Sequence, residues 1–326
     1  MKKYTVFLCL LCYVSTLQAQ FFSEEYRLLN HLDVGVTAGT TGLGLEVSSP
    51  VGKFFQVRTG VDHMPKFKYR MDFGIQLGDE PTGKFDANGN LTHFGKLADM
   101  LKGFTGYEPD EHVTMVGSPT FTNFKFLVDI LPFENKKWHF TLGFYAGRQN
   151  VAKAVNDIKD APTVLAVNIY NNLYDKVLNE EEIFMGLELP PDIAEKFLNY
   201  GKMGMVLGNY RHDIKDEMGN IINKEGEPYR MYPNEESMIK SYIKTNKIRP
   251  YLGFGYGNTL SRDKKVNCSF DCGIMYLGGI HVYTHDGTCL SHNVKDYCSS
   301  IKSYMNLFNS VNVYPVVNFR IAYRIF

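Results

Sequence analysis

Along much of the chain, apolar and aromatic side chains occupy every second position. The pattern is clearest in 138–148, where Trp138, Phe140 and Leu142 are separated by single polar residues. The same alternation recurs in 248–258 and close to the C-terminus in 317–325. Because a β-strand directs successive side chains to opposite faces, each of these segments is predicted to form a strand with one apolar face.

Eight segments carry this pattern. The predicted strands lie near 32–39, 42–49, 54–77, 119–131, 137–148, 248–260, 273–284 and 312–326. The strand at 54–77 is long and contains Pro65. If it is two strands and another lies in a long loop, the count rises to ten.

The alternation fits either a soluble sandwich with an apolar core or a membrane barrel with an apolar exterior. Three features favour the barrel. The polar face is rich in glycine, which a crowded interior requires, and aromatic residues lie at strand ends (Trp138, Tyr256 and Tyr323). Short connections also alternate with long ones. The short connections are 50–53, 132–137 and 261–272, and the long ones are 79–118, 150–247 and 285–310.

The sequence therefore predicts an all-β fold, a transmembrane antiparallel up-and-down β-barrel of about eight strands. The long insertion 150–247 is predicted to be a partly helical extracellular cap, with helices at 169–178, from Pro191, and after Asn234. The loop 79–118 shows turn chemistry at 86–89 and little else. A secreted soluble β-sandwich is the alternative architecture.

Composition and charge narrow the classes of function. The chain has 326 residues, with 35 basic and 35 acidic side chains, which argues against a nucleic-acid partner. After residue 20, no apolar stretch approaches the roughly 18 residues that a spanning helix needs. Phenylalanine and tyrosine, at 23 and 21 residues, are too abundant for a disordered chain.

The first 19 residues have the three parts of a secretory signal peptide. A basic start at Lys2 and Lys3 precedes an apolar run at 4–14, and small residues lead to a cleavage point after Ala19. Cys9 and Cys12 follow leucines, so lipidation is not expected. The barrel is predicted to occupy 20–326.

Export makes disulfides the expected state of the four cysteines after the signal peptide, Cys268, Cys272, Cys289 and Cys298. Their spacing is poor for zinc, so no metal is expected. A predicted strand would separate Cys268 and Cys272 from the other two by roughly 30 Å, beyond the ~7 Å Cα limit. The pairs Cys268–Cys272 and Cys289–Cys298 are therefore predicted.

Charged residues occupy the polar face of the predicted strands. They are the acids Asp33, Glu46, Asp62 and Asp129 and the bases Arg58, Lys125, Arg249, Arg320 and Arg324. Because isolated buried charges are costly, this mixed set predicts paired networks across the interior. An interior filled in this way leaves no aqueous channel, which disfavours a general diffusion pore.

Catalytic candidates are weak. His285, His292, Ser291 and Asp286 cluster near the predicted outer mouth and supply the residue types of a nucleophile–base pair. No family signature surrounds them, and no cofactor is indicated. An enzyme acting on lipid A, phospholipid or peptide is the alternative to a binding function.

The chain resembles the small outer-membrane β-barrel proteins of Gram-negative bacteria, of the Bacteroidetes type. The resemblance lies in the signal peptide ending at 17–20 (LQAQ), the segment 39–46 (GTTGLGLE) running to 50–52, and a last strand ending in Phe326. It covers the strands and says almost nothing about activity. In one departure from that family, Phe326 is out of step with Tyr323 and Ile325.

This resemblance implies an outer-membrane location with lipid as the surrounding partner. It also implies recognition of Phe326 and Tyr323 by the barrel assembly machinery. We expect a monomer whose outer loops act in surface interaction, adhesion or envelope support, with a surface ligand or partner that the sequence does not identify.

Overall fold

The computed structural model describes residues 31–52, 54–181, 190–257, 265–296 and 312–325. The predicted signal peptide, Cys298 and Phe326 lie outside these residues. In chain order the elements are β1 Asp33–Gly39, β2 Gly42–Val51, β3 Phe55–His63, β4 Tyr69–Leu77, α1 His93–Thr105, β5 His112–Pro119, β6 Thr122–Ile130, β7 Trp138–Gly147, β8 Asn150–Asn156, α2 Ala161–Leu178, α3 Pro191–Tyr200, β9 Met203–Tyr210, β10 Ile214–Lys215, β11 Ile221–Asn223, β12 Pro228–Met231, β13 Lys240–Lys244, β14 Ile248–Gly257, β15 Val266–Tyr276, β16 His281–Thr284, α4 Leu290–Asn293, β17 Val294–Lys295 and β18 Val313–Arg324.

Eight strands close into an antiparallel barrel in the order β1-β18-β15-β14-β7-β6-β3-β2. Each strand pairs with its neighbours in the up-and-down sequence, and β18 closes the barrel against β1, with Asp33 opposite Arg324. The predicted closed eight-stranded barrel is therefore confirmed. One end of the barrel has short connections, at 52–54, 131–137 and 258–265. At the other end the β1–β2 turn is also short. The connections there between β3 and β6, β7 and β14, and β15 and β18 are long and carry all the elements outside the barrel.

The three long connections build a second sheet and several helices. We call this sheet and these helices together the cap. Its strand order is β12-β9-β4-β5-β8-β13-β16, and β17 pairs with β9. The cap continues the barrel wall, because β5 leads directly into β6, β7 into β8, and β13 into β14. Backbone hydrogen bonds cross the junction, including Thr120 N to Val151 O at 2.8 Å and Thr245 N to Gln149 O at 2.9 Å.

Two apolar cores support this arrangement. The cap core packs the helices against the second sheet and includes Phe94 of α1, Val164 and Val167 of α2, and Met205 of β9. A second core lies at the junction of cap and barrel. It consists of Phe121, Leu127, Tyr145, Tyr251, Met275, Leu277 and Val316. Because several of these side chains point into the barrel, an apolar layer fills the cap end of its interior.

Helical prediction within the insertion was partly right. The predicted helices at 169–178 and from Pro191 are confirmed as α2 and α3. The helix predicted after Asn234 is wrong. Asn234 instead accepts a hydrogen bond from Met238 N at 2.9 Å within a turn, and the following segment forms β13 between β8 and β16.

Three other boundaries differ from the sequence expectation. The segment 54–77 splits into β3 in the barrel and β4 in the cap, and the predicted long loop 79–118 contains α1 and most of β5. In place of the strand expected at 273–284, β15 runs from Val266 to Tyr276 in the barrel, and 281–284 forms β16 in the cap. None of the helices in the described parts of the chain has the length and apolar character needed to cross a bilayer.

The earlier start of β15 corrects the cysteine pairing. Cys268 and Cys272 both lie in this strand and are free thiols. Four residues along a strand separate them by about 13 Å, too far for a disulfide. The Cys268–Cys272 prediction is therefore wrong. Cys289 forms no disulfide within the described residues, and its predicted partner Cys298 lies outside them.

Candidate functional site

The barrel interior holds two linked clusters of buried charges. In the first, Arg58 of β3 contacts Asp129 of β6 through two nitrogens, Nη2 to Oδ1 at 2.8 Å and Nε to Oδ2 at 2.8 Å. The same Nη2 lies 2.9 Å from Oδ1 of Asp271 on β15. His139 Nε2 lies 2.8 Å from that oxygen. One guanidinium thus joins three strands across the interior.

The second cluster is centred on Glu46 of β2. Its Oε2 lies 2.8 Å from Lys125 Nζ, and its Oε1 accepts a hydrogen bond from Arg320 of β18. Lys125 Nζ also lies 2.8 Å from Asp62 Oδ1. Arg58 lies 4.0 Å from Glu46, which links the two clusters. The ion pairs therefore form one network around the inner wall.

The remaining predicted charges lie at the two ends. Arg324 Nε lies 3.6 Å from Asp33 Oδ1 at the end with short turns. At the cap end, Arg249 is buried and held by neutral groups. It donates to Asn123 Oδ1, to the Arg148 carbonyl at 2.6 Å and to Thr245 Oγ1 at 3.2 Å. Its guanidinium lies 5.0 Å from the Phe121 ring.

Sequence reasoning missed one essential member, Asp271. Asp271 falls within the connection predicted at 261–272, so the sequence assigns four acids against five bases to the interior. The signal was present, because Val266, Cys268 and Phe270 alternate with Asn267, Ser269 and Asp271. Among the described residues, Asp271 brings this interior set to five acidic and five basic side chains.

Asp129, His139 and Asp271 place three potential metal-ligand atoms within 4.8 Å of one another. The Arg58 guanidinium lies between the two carboxylates, at 2.8 Å and 2.9 Å. We interpret this cluster as an ion-pair network in which Arg58 supplies the positive charge.

Glycines on the inner face make room for these side chains. A Cβ at Gly44 would lie 2.0 Å from Asp62 Oδ1, and one at Gly255 would lie 2.3 Å from His139 Nε2. Both distances are far shorter than a van der Waals contact. The glycine-rich polar face is therefore a packing requirement of the network.

The outer face of the barrel is apolar and exposed. The side chains below each expose more than a third of their surface: Val34, Val36, Leu43, Leu45, Val47, Phe55, Val61, Phe124, Phe126, Trp138, Phe140, Leu142, Leu252, Phe254, Tyr256, Val266, Phe270, Ile274, Tyr276, Phe319, Ile321 and Tyr323. We call this set the belt. Along β15 it runs from Val266 to Tyr276, and Cys268 and Cys272 share that face.

The belt has an aromatic border at the end with short turns. The rings of Trp138 and Tyr256 lie 4.9 Å apart there, and Tyr323 is opposite Val266 in the sheet. Ten residue steps along β15 span about 34 Å, which becomes a height of roughly 25 Å at the usual barrel tilt.

The cap contains an apolar cavity of about 400 Å³ between α1 and α2. Its lining consists of Leu97, Met100, Leu101, Tyr107, Pro162, Leu165, Ala166, Ile169, Tyr170, Leu173 and Phe197. Both tyrosine hydroxyls are engaged elsewhere. Tyr107 Oη lies 2.7 Å from Thr163 Oγ1, and Tyr170 Oη donates to the Gly201 carbonyl at 3.0 Å. Burial raises the pKa of Tyr170, which keeps this donor protonated.

An ion cluster braces α1 beside the cavity. Glu108, which follows the lining residue Tyr107, lies 2.6 Å from Lys102 Nζ and 2.5 Å from Lys84 Nζ. Hydrogen bonds from Lys102 and Lys84 lower the pKa of Glu108 to about 2. The carboxylate therefore ties the end of α1 to the chain that precedes it.

The four catalytic candidates lie in the cap around α4, where their contacts hold local turns. Asp286 accepts hydrogen bonds from Thr284 Oγ1 and from Thr288 N, the latter at 3.0 Å. Ser291 Oγ accepts from Val282 N at 3.3 Å and lies 3.4 Å from Cys289 Sγ.

The two histidines do not complete a catalytic chain with these groups. The His292 ring packs 5.4 Å from the ring of His212, and the buried His285 Nδ1 has no hydrogen-bond partner among the described residues. Among the described residues, Ser291, Asp286 and the histidines are not joined as nucleophile, base and orienting acid.

No family model matches the sequence, and no curated protein matches it. Among solved structures, CarO2 of Acinetobacter baumannii is similar at 11% identity, covering 91% of this chain and 99% of that chain with a TM-score of 0.39. CarO of the same organism is similar at 10% identity, with the same coverage and a TM-score of 0.38. A major outer membrane protein of Thermus thermophilus is similar at 12% identity, covering 90% and 98% of the two chains with a TM-score of 0.27. All three TM-scores are below 0.5.

Proposed function

We propose that the chain is an integral outer-membrane β-barrel protein of a Gram-negative bacterium, of the Bacteroidetes type that 39–52 resembles. The barrel anchors the cap at the cell surface, where the cap acts in surface interaction, adhesion or envelope support. The observation that carries this proposal is the belt. A monomeric soluble protein rarely exposes a continuous apolar patch larger than a few hundred Å², whereas a lipid-facing barrel needs an apolar band about 25 Å tall.

The orientation follows from the unequal connections. In membrane barrels, short turns face the periplasm and long loops face outward. The predicted signal peptide at 1–19 would deliver the chain across the inner membrane. Assembly would use the last strand, with Phe326 and Tyr323 as the aromatic signal, and the surrounding partner would be lipid.

The interior supports an anchor rather than a diffusion pore. Arg58, Lys125 and Arg320 are buried within the ion-pair network, and the junction core fills the cap end. Opening an aqueous path would require breaking these ion pairs and this apolar layer. The function therefore belongs to the cap, which has its own core and its own cavity.

Detergent extraction of outer membranes tests the anchor. We expect the chain in the outer-membrane fraction, with unheated and boiled samples migrating differently on a denaturing gel, because a lipid-stabilised barrel resists detergent until heated. Protease added to intact cells should cleave within the cap. Recovery in a soluble fraction, with no effect of heating on migration, would contradict the proposal.

Planar bilayers test the closed interior separately. We expect the purified full-length chain to insert without large, stable conductance steps. Reproducible open steps of porin size would show that the barrel conducts, while leaving its location in the membrane intact.

A further inference from the structure

We propose that the cap cavity binds the unbranched hydrocarbon chain of an amphiphile, whose headgroup remains in water. This inference deepens the proposed function, since it names a class of ligand for the cap. The cavity, at about 400 Å³, has the size of a small-molecule site. It lies between two helices whose opposite faces are fixed in the cap core, so its walls are held in place.

The lining chemistry selects a hydrocarbon. Tyr107 and Tyr170 are the lining residues that carry a side-chain oxygen, and both hydroxyls already have partners at 2.7 Å and 3.0 Å. A sugar, nucleotide or charged peptide entering this space would lose its hydrogen bonds to water and gain none. Such unmatched polar groups weaken binding strongly, whereas methylene groups gain by leaving water.

The rim explains why the ligand is an amphiphile. Met100, Leu165 and Ile169 line the cavity yet expose 52%, 48% and 59% of their surface, so the cavity opens to the outside. An amphiphile whose hydrocarbon chain enters through this opening can leave its headgroup in solvent. Met100 is flexible and polarizable, which suits it to packing against chains of different curvature.

The binding test uses the full-length protein in lipid nanodiscs, with protein-free nanodiscs as the blank. The probe is dansyl-labelled undecanoic acid, whose emission rises in apolar surroundings. We expect saturable binding. Unlabelled fatty acids should displace the probe with an affinity that rises with chain length and then levels off when the cavity is full. If the affinity instead rose with fatty-acid length without levelling off, as in the protein-free nanodiscs, that result would indicate partition into lipid and would overturn the inference.

Substitutions locate the site. Ala166→Phe fills the cavity and should weaken probe binding at least about tenfold, the loss expected when two methylene groups are displaced from apolar surroundings. Ile169→Asn, which places an amide in the lining, should weaken binding as well. Asn172→Phe adds the same ring to an exposed position of α2 outside the lining and should bind the probe like the wild type.

Two competitors in the displacement experiment distinguish the source of the bound hydrocarbon chain. Displacement by palmitic acid but not by lysophosphatidylcholine would indicate a free fatty acid, and displacement by both would indicate any single-chain amphiphile. Equal probe binding by wild type and Ala166→Phe, with both barrels still heat-modifiable, would overturn the inference alone. Specific docking of a protein on this rim, with no amphiphile bound, would also overturn it. Absence of heat-modifiable barrel behaviour in the wild type would instead overturn the proposed function.

Discussion

Inside the barrel, single side chains decide whether buried charge is tolerable. The interior pairs five acids with four bases, most of them on different strands, while the fifth base, Arg249, is held by neutral groups. Burying a charge is costly, and the cost is offset only when the partner and its hydrogen bonds are in place. The network therefore stabilises one strand order and penalises a shifted one.

Lys125→Met tests this balance. The change removes the ion-pair partner of Asp62 and one of the partners of Glu46, leaving buried carboxylate charge uncompensated. We expect a loss of about 3–5 kcal/mol in the free energy of unfolding, measured by urea titration in lipid vesicles and followed by the fluorescence of Trp138, the chain's single tryptophan.

Lys240→Met is the matched control, because it removes an ion pair with Glu236 in the cap, where Glu236 is exposed. We expect it to leave the barrel transition unchanged, since exposed ion pairs contribute little. If both variants unfolded like the wild type, the interior charges would not be stabilising the barrel as described.

Glu108 makes the stability of the cap depend on pH, and its lowered pKa fixes the direction of that dependence. Its pKa in the folded protein is lowered to about 2 from an ordinary value of 4.5. Its contribution to stability is therefore fully present above about pH 4.5 and is lost as the pH falls toward 2. We expect Glu108→Gln to lower the thermal midpoint of the cap at neutral pH and to match the wild type near the acid end. A difference that stayed constant across this range would contradict the assignment.

At the scale of elements, local patterns were informative where one face of a strand is apolar. Trp138 to Ala146 and Val317 to Ile325 alternate so regularly that the period alone identifies them as strands. The start of β15 is not evident in the sequence, because its outward face carries Cys268 and Cys272 in place of large apolar side chains. The helix α1 was also missed, although Thr92 caps it, accepting from Gly95 N at 3.0 Å, and Gly106 ends it in the left-handed conformation.

The belt makes a prediction that separates lipid from water as the surroundings of the strands. Leu252 on β14 and Leu178 at the end of α2 expose nearly equal fractions, 53% and 55%. Leu252→Arg should destabilise the folded barrel by about 2–4 kcal/mol, because arginine near the bilayer midplane is costly. Leu178→Arg should change stability by less than about 0.5 kcal/mol.

Both leucines would behave alike in a soluble protein. Unfolding in vesicles is therefore the decisive measurement, and an equal, small effect of the two substitutions would place the belt in water.

At the scale of the molecule, barrel and cap share one continuous wall. The barrel pairs strands that are neighbours in the up-and-down sequence, so it could be predicted from the order of alternating segments. The cap sheet could not, because its strands come from three separate connections, and β4 pairs with β5 on one side and β9 on the other. Such long-range pairing leaves no local pattern in the sequence. The cavity was beyond sequence reasoning for the same reason, since α1 and α2 meet only in the folded cap.

Trp138 reports whether the belt faces lipid or water. This side chain is 46% exposed on the outer face of β7, at the aromatic border of the belt. In vesicles containing brominated phospholipids, we expect strong quenching of its fluorescence by bromines placed high on the acyl chains, weaker quenching by deep bromines, and little quenching by aqueous iodide. Full accessibility to iodide, with no quenching by any brominated lipid, would show that the belt does not face lipid.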